Sequence, residues 1–159
     1  MPSRRDVLAG IVAGATGVSG CLASDTVSGY VQLKSIEGWR LDGSNETVLD
    51  IAYSDREESV AGHVYEPWTE YVDDPDRPTV SETFHDELRQ TYDQLWYVIG
   101  VCSDQWDTGD STGCRNDFTD RNNFNQAQVY DRVEASYSKE DEYIEIHDVT
   151  GTQTPAETQ

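Results

Sequence analysis

Lysine is almost missing from this chain of 159 residues: Lys34 and Lys139 are the only two. Basic residues number 11 against 31 acidic ones, a formal net charge of −20. No stretch gathers enough positive charge to neutralise a phosphate backbone, which excludes nucleic acid as a partner. Long hydrophobic runs are missing too. A spanning helix needs ~20 apolar residues, and both Val7–Val18 and the shorter Leu95–Val101 fall well below that. No H-E-x-x-H, G-x-S-x-G, P-loop or dinucleotide-binding glycine pattern occurs, so the chemistry built on those spacings is not indicated.

What is present favours a folded domain. High net charge with low hydrophobicity is the signature of disorder. Here, however, 4 Trp, 9 Tyr and 3 Phe supply a core, and the charges alternate with apolar positions. Residues 29–151 suit one acidic globular domain, preceded by a short linker within 21–28 and followed by a disordered polar tail over 152–159.

The apolar spacing predicts a mainly β (α+β) fold of about six antiparallel strands, as a sheet or small sandwich, with one helix near residues 82–94. Tyr30–Leu41 reads as a strand with Val31, Leu33, Trp39 and Leu41 inward and a bulge near Gly38. Thr47, Leu49, Ile51 and Tyr53 alternate with Val48, Asp50, Ala52 and Ser54. Val60–Tyr65 follows as a third strand. Glu66–Pro78, with Pro67, Pro75 and Pro78, is a long loop. Ser81 caps a helix whose inner face is Phe84, Leu88, Tyr92 and Leu95. Leu95–Cys102, apolar on both faces, is a buried central strand. Gln126–Tyr137 and Tyr143–Val149 form a hairpin about Ser138–Glu142.

The N-terminal residues carry the strongest pattern. Ser3-Arg4-Arg5-Asp6-Val7-Leu8 precedes an uncharged run of small and branched residues that ends at Val18-Ser19-Gly20-Cys21. This resembles a twin-arginine (Tat) export signal joined to a lipobox, the pattern of an exported lipoprotein precursor. Val7 stands where phenylalanine or leucine is commoner. The resemblance covers residues 1–21 only. It implies a signal peptide over 1–20, recognised through Arg4 and Arg5, and a mature chain beginning at lipid-modified Cys21. Two acyl chains on that cysteine give stable membrane attachment, so the expected location is the outer face of the cell membrane. Combined with an acidic, lysine-poor composition, the pattern resembles haloarchaeal exported proteins. At molar salt the Debye length falls to ~3 Å and self-repulsion among exposed carboxylates is screened.

With Cys21 lipidated, Cys102 and Cys114 remain as an even pair in a non-reducing compartment, and a disulfide between them is expected. A zinc site is the rival, weakened by the want of a nearby histidine. Asp104, Asp107 and Asp110 form a D-x-x-D-x-x-D run, the one candidate for Ca²⁺, though not in EF-hand order. In a chain this acidic, a solvated loop explains the run as well, and no other cofactor is indicated. His63, His85 and His147 lie on separate elements without paired spacing. Trp39, Trp68, Trp96 and Trp106 suggest sugar stacking, above all Trp68 and Trp106 in loops; the preferred reading is that each pins its loop to the core. Asn45-Glu46-Thr47 is a glycosylation sequon in a turn.

These features together imply a lipid-anchored surface module, non-enzymatic and acting in binding or envelope architecture. It would meet the membrane through Cys21 and a cell-surface protein or glycan elsewhere. A small secreted hydrolase with a carboxylate site and a solute-binding lipoprotein are the alternatives.

Overall fold

The computed structural model describes residues 26–106, 109 and 113–152. The fold is mainly β. Seven strands form one mixed sheet: β1 (Thr26–Trp39), β2 (Asn45–Ser54), β3 (Ser59–Val64), β4 (Gln94–Cys102), β5 (Cys114–Thr119), β6 (Arg132–Ser138) and β7 (Tyr143–Gly151). Two helices, α1 (Glu82–Thr91) and α2 (Arg121–Gln126), accompany them. The strand order is β3-β2-β1-β4-β5-β7-β6, with a further pairing of β1 to β6. Every pairing is antiparallel except β5–β7, which is parallel and meets at Phe118 and Tyr143.

The extra pairing closes a ring. Along one edge of β1, Thr26–Tyr30 pair with β6 and Leu33–Trp39 pair with β2. The other edge takes β4. Strands β1, β4, β5, β7 and β6 therefore follow one another back to β1, with β2 and β3 as a flanking hairpin. The weak point is β5–β7, where only one residue pair bridges. Side chains seal it. Thr119 Oγ1 donates to the Ile144 carbonyl at 2.8 Å, and Asn123 Oδ1 accepts from the Ile146 N–H at 2.9 Å. Buried backbone groups that lack a ladder partner must be satisfied in some such way.

Strand β1 explains the main departures from the sequence expectation. It begins at Thr26, inside the segment expected to be linker. Its pairing with β4 shifts register between Val31 and Leu33. One extra residue reverses which side chains face inward. Val27 and Val31 are buried before the shift, Lys34 and Ile36 after it. The inward set expected at Leu33, Trp39 and Leu41 is thus turned out, and Leu41 is 90 % exposed. A second shift lies between Ile36 and Glu37 against β2, two residues before the bulge expected near Gly38. It leaves Val48 and Leu49 of β2 both buried. Gly38 itself is required for packing, because a Cβ there would lie 2.3 Å from the Tyr92 ring.

Helix α1 starts as expected, with Ser81 Oγ accepting from Phe84 N–H at 3.1 Å and Phe84 and Leu88 buried. It ends at Thr91, three residues before Gln94, because Tyr92 turns extended and leads directly into β4. Tyr92 still reaches the core from that position. Within the 66–78 loop, a 3-10 turn over Thr69–Tyr71 follows Trp68, whose indole is buried near Tyr71, Phe84 and Tyr92.

Strand β5 and helix α2 were not expected. Residues 114–119 carry one large apolar side chain, Phe118, and show no alternation; the hairpin to β4 specifies the strand instead. Helix α2 is capped by Asp120, whose Oδ1 accepts from Asn123 N–H at 2.8 Å. The strand expected from Gln126 begins only at Arg132. Residues 128–131 form a turn, closed by Asp131 N–H to the Gln128 carbonyl at 3.0 Å, with Tyr130 in the left-handed region at φ 78°.

Candidate functional site

Cys102 and Cys114 are disulfide-bonded. They are registered partners at the end of the β4–β5 ladder, so the bridge closes the hairpin loop at its base. Asp104 is exposed in a 3-10 turn (Asp104–Trp106); Asp107 and Asp110 lie outside the described residues, as do Arg4, Arg5 and Cys21. Asn45 is exposed at the first position of β2. The three histidines remain apart in their contacts: His63 meets the Tyr65 ring edge, His85 bonds to Tyr97 and His147 to Ser136. Trp106 stands near Tyr137, and the Arg115 guanidinium lies over both rings, at 5.5 and 4.6 Å. Trp68 is buried in the core, whereas Trp106 is half-buried beside Tyr137 and Arg115.

The most unusual side chain in the core is Lys34, fully buried by the β1 bulge. Its ammonium donates to the Ala127 carbonyl at 2.9 Å and to Gln128 Oε1 at 3.2 Å, with the Pro78 carbonyl at 3.4 Å. It lies 4.1 Å from the Phe124 ring centroid. No carboxylate is paired with it among the described residues. Burial pulls its pKa down to about 7, against an opposing pull from Asp131 and with a smaller push from Arg77. These bonds tie the 66–80 loop and the 127–131 turn to β1. Lys34 is a clasp inside the fold.

The arrangement suited to binding lies on the opposite face of the sheet. Both helices contribute to the core side, through Phe84, Leu88 and Phe124. On the other side, three half-buried rings cross three strands: Trp39 on β1, Trp96 on β4 and Phe118 on β5. The Trp39 and Trp96 centroids are 4.9 Å apart, and those of Trp96 and Phe118 are 5.1 Å apart. Trp39 Nε1 is buried without a hydrogen-bond partner.

A depression of about 410 Å³ adjoins this strip, lined by His85, Arg89, Asp93, Gln94 and Trp96 among others. His85 and Arg89 are four residues apart on α1 and so share a helix face. His85 Nδ1 lies 2.6 Å from the Tyr97 hydroxyl. Burial raises the Tyr97 pKa, so the phenol keeps its proton. Burial, with Arg121 and Arg89, lowers that of His85, so the ring stays neutral. The Tyr97 hydroxyl and Nδ1 share one hydrogen bond, whose donor follows the imidazole tautomer. Among the described residues Arg40–Glu46 is the only ion pair, so Arg89 has no carboxylate partner despite the great excess of acidic residues. The Asp93 carboxylate is engaged by the backbone instead, its Oδ2 accepting from Leu41 N–H at 2.6 Å. The depression thus brings together a guanidinium, an imidazole and an amide beside Trp96.

In the sequence Trp39 and Trp96 fall within strands, and nothing there singles out Arg89 except its i, i+4 spacing from His85. A second depression, of about 340 Å³, is lined by Tyr30, Asp104, Arg132 and both half-cystines. No protein-family model matches the chain, and no curated protein or solved structure does so either.

Proposed function

We propose that this protein is an exported, lipid-anchored surface module of a salt-loving archaeon, acting by binding rather than by catalysis. The observation that carries the reading is the ordered pair of patterns, Ser3-Arg4-Arg5 ahead of an apolar run and Val18-Ser19-Gly20-Cys21 after it. Each is short, but their order and spacing agree. A Cys102–Cys114 disulfide supports export, since such bonds persist where thiols are not kept reduced. The excess of acidic side chains, with one ion pair among the described residues, supports a solvent of high ionic strength.

Cys21 precedes the start of β1 by five residues, a reach of at most roughly 18 Å. The Thr26 end of the domain is then held near the membrane. Strand β1 runs 14 residues from there, a contour of roughly 40 Å, so Trp39 lies at the end of the strand farther from the anchor along the chain. The test is fractionation of cells expressing variants. Cys21→Ser is expected to move the protein from the membrane to the medium, and Arg4→Lys with Arg5→Lys to retain it inside the cell. A Cys21→Ser variant that still sediments with membranes overturns the anchor.

A further inference from the structure

One motif is not absorbed by the surface-module reading: Asn45-Glu46-Thr47. Asparagine, any residue but proline, then serine or threonine is the acceptor pattern for an N-linked sugar. Asn116, Asn122, Asn123 and Asn125, the other asparagines of the chain, lack it. The fold presents Asn45 as an acceptor must be presented if sugar is added after folding. Residues 41–46 are all exposed. They belong to the tip of the β1–β2 hairpin, where Arg40 N–H donates to the Ser44 carbonyl and Gly43 N–H to the Arg40 carbonyl, each at 2.9 Å. Gly43 adopts φ 85° to close that turn, a conformation open to glycine.

Side-chain direction supports the same reading. Glu46 accepts from the Arg40 guanidinium at 3.1 Å and from the Tyr92 hydroxyl at 2.8 Å, so it is held toward the side of the sheet where Tyr92 packs. Successive strand residues point to opposite faces. Asn45 and the half-buried Thr47 therefore turn together to the face that carries neither helix. The Asn45 amide makes no hydrogen bond among the described residues, whereas the amides of Asn123 and Asn125 donate to the Tyr143 hydroxyl and the Val80 carbonyl. We infer that Asn45 is the attachment point of an N-linked glycan. The inference rests on the export reading for the compartment in which the sugar donor is met. That donor is an oligosaccharide joined through its anomeric carbon to a membrane isoprenoid phosphate. The Asn45 amide nitrogen attacks the anomeric carbon. A C–N bond forms, the bond from that carbon to the phosphate oxygen breaks, the phosphate leaves with the electron pair, and the amide gives up one proton. Thr47 supplies the hydroxyl that the acceptor pattern requires. Trp39 is the registered partner of Asn45, so the first sugar leaves the sheet beside that indole.

The test digests the protein, isolated from its own cells, with trypsin. Cleavage after Arg40 and Arg56 frees Leu41–Arg56, which has no internal basic residue and one asparagine. This peptide is expected to carry a mass increment of whole sugar residues, located on Asn45 by fragmentation. Asn45→Gln and Thr47→Ala are each expected to abolish the increment while Cys21 stays lipidated and the Cys102–Cys114 bond stays formed. A peptide found only unmodified overturns the inference. So does an increment carried by Ser44 or Thr47 in place of Asn45, or one that survives either substitution. The N-terminus and the lipid are read on the same preparation. An unmodified peptide beside a lipid-bearing Cys21 defeats this inference alone, whereas an unmodified peptide in a chain still beginning at Met1 defeats the export reading with it.

Discussion

The Lys34 ammonium lies 4.1 Å from the centroid of the Phe124 ring, joining the bulged centre of β1 to the short helix that accompanies the closed strands. Burial without a carboxylate partner makes this lysine a source of pH dependence. Its folded pKa is about 7 against an ordinary 10.5. Between these values the unfolded chain holds a proton that the folded chain has released, so stability rises with pH. The rise is expected from pH 7 to roughly 9.5, below the ionisation of exposed phenols near pH ~10. Above that the sign reverses, because burial raises Tyr97 and unfolding would free its proton. Denaturation in urea across this window is expected to show the rise, and Lys34→Met to remove it. The variant also leaves the Ala127 carbonyl without its donor, at a cost of about 1–3 kcal/mol. The same slope in both proteins would contradict the account.

The Cys102–Cys114 bridge closes a loop of 12 residues' separation. On the chain-entropy argument it contributes about 3 kcal/mol. Replacing both cysteines with alanine is expected to lower the unfolding free energy by that order, and reduction of the native protein to match it. Equal stability with and without the bond would show that the β4–β5 ladder alone holds the loop.

Asn123 substitutes for a strand partner where β5 and β7 diverge. Asn123→Ala removes the acceptor for Ile146 N–H and the donor to the Tyr143 hydroxyl. A loss of about 1–3 kcal/mol is expected. More specifically, hydrogen exchange at the Ile146 amide should accelerate beyond that of Ala135, its partner on β6. Uniform acceleration through the sheet would mean the seal is not local.

Net charge gives the fourth expectation. With 31 acidic residues, two lysines and a single ion pair among the described residues, repulsion is offset chiefly by solvent ions. The melting temperature is expected to climb from dilute buffer to molar KCl. A melting curve indifferent to salt would remove the argument for a saline habitat.

How much of this was legible in the sequence depended on whether a signal was local. Strands β2 and β3, the Ser81 cap and the apolar run of β4 declared themselves through period and composition. The parity of β1 did not, because a register shift is a property of two strands together. Reading Val31 and Leu33 as neighbours on one face concealed that Lys34 turns inward. Strand β5, with Phe118 as its one large apolar residue, is specified by its hairpin partner rather than by its own pattern. The aromatic strip has the same origin. Trp39, Trp96 and Phe118 are distant in sequence and meet only through cross-strand pairing, whereas the loop positions of Trp68 and Trp106 are local signals, and of these Trp68 is buried in the core.

Export and anchoring through Cys21 are tested by intact mass spectrometry of the protein isolated from its own cells. The account predicts a chain beginning at Cys21 and carrying a two-chain lipid on that sulfur, with Cys102 and Cys114 two hydrogens lighter than free thiols. A mass corresponding to the unmodified chain from Met1, with no added hydrocarbon, would contradict it.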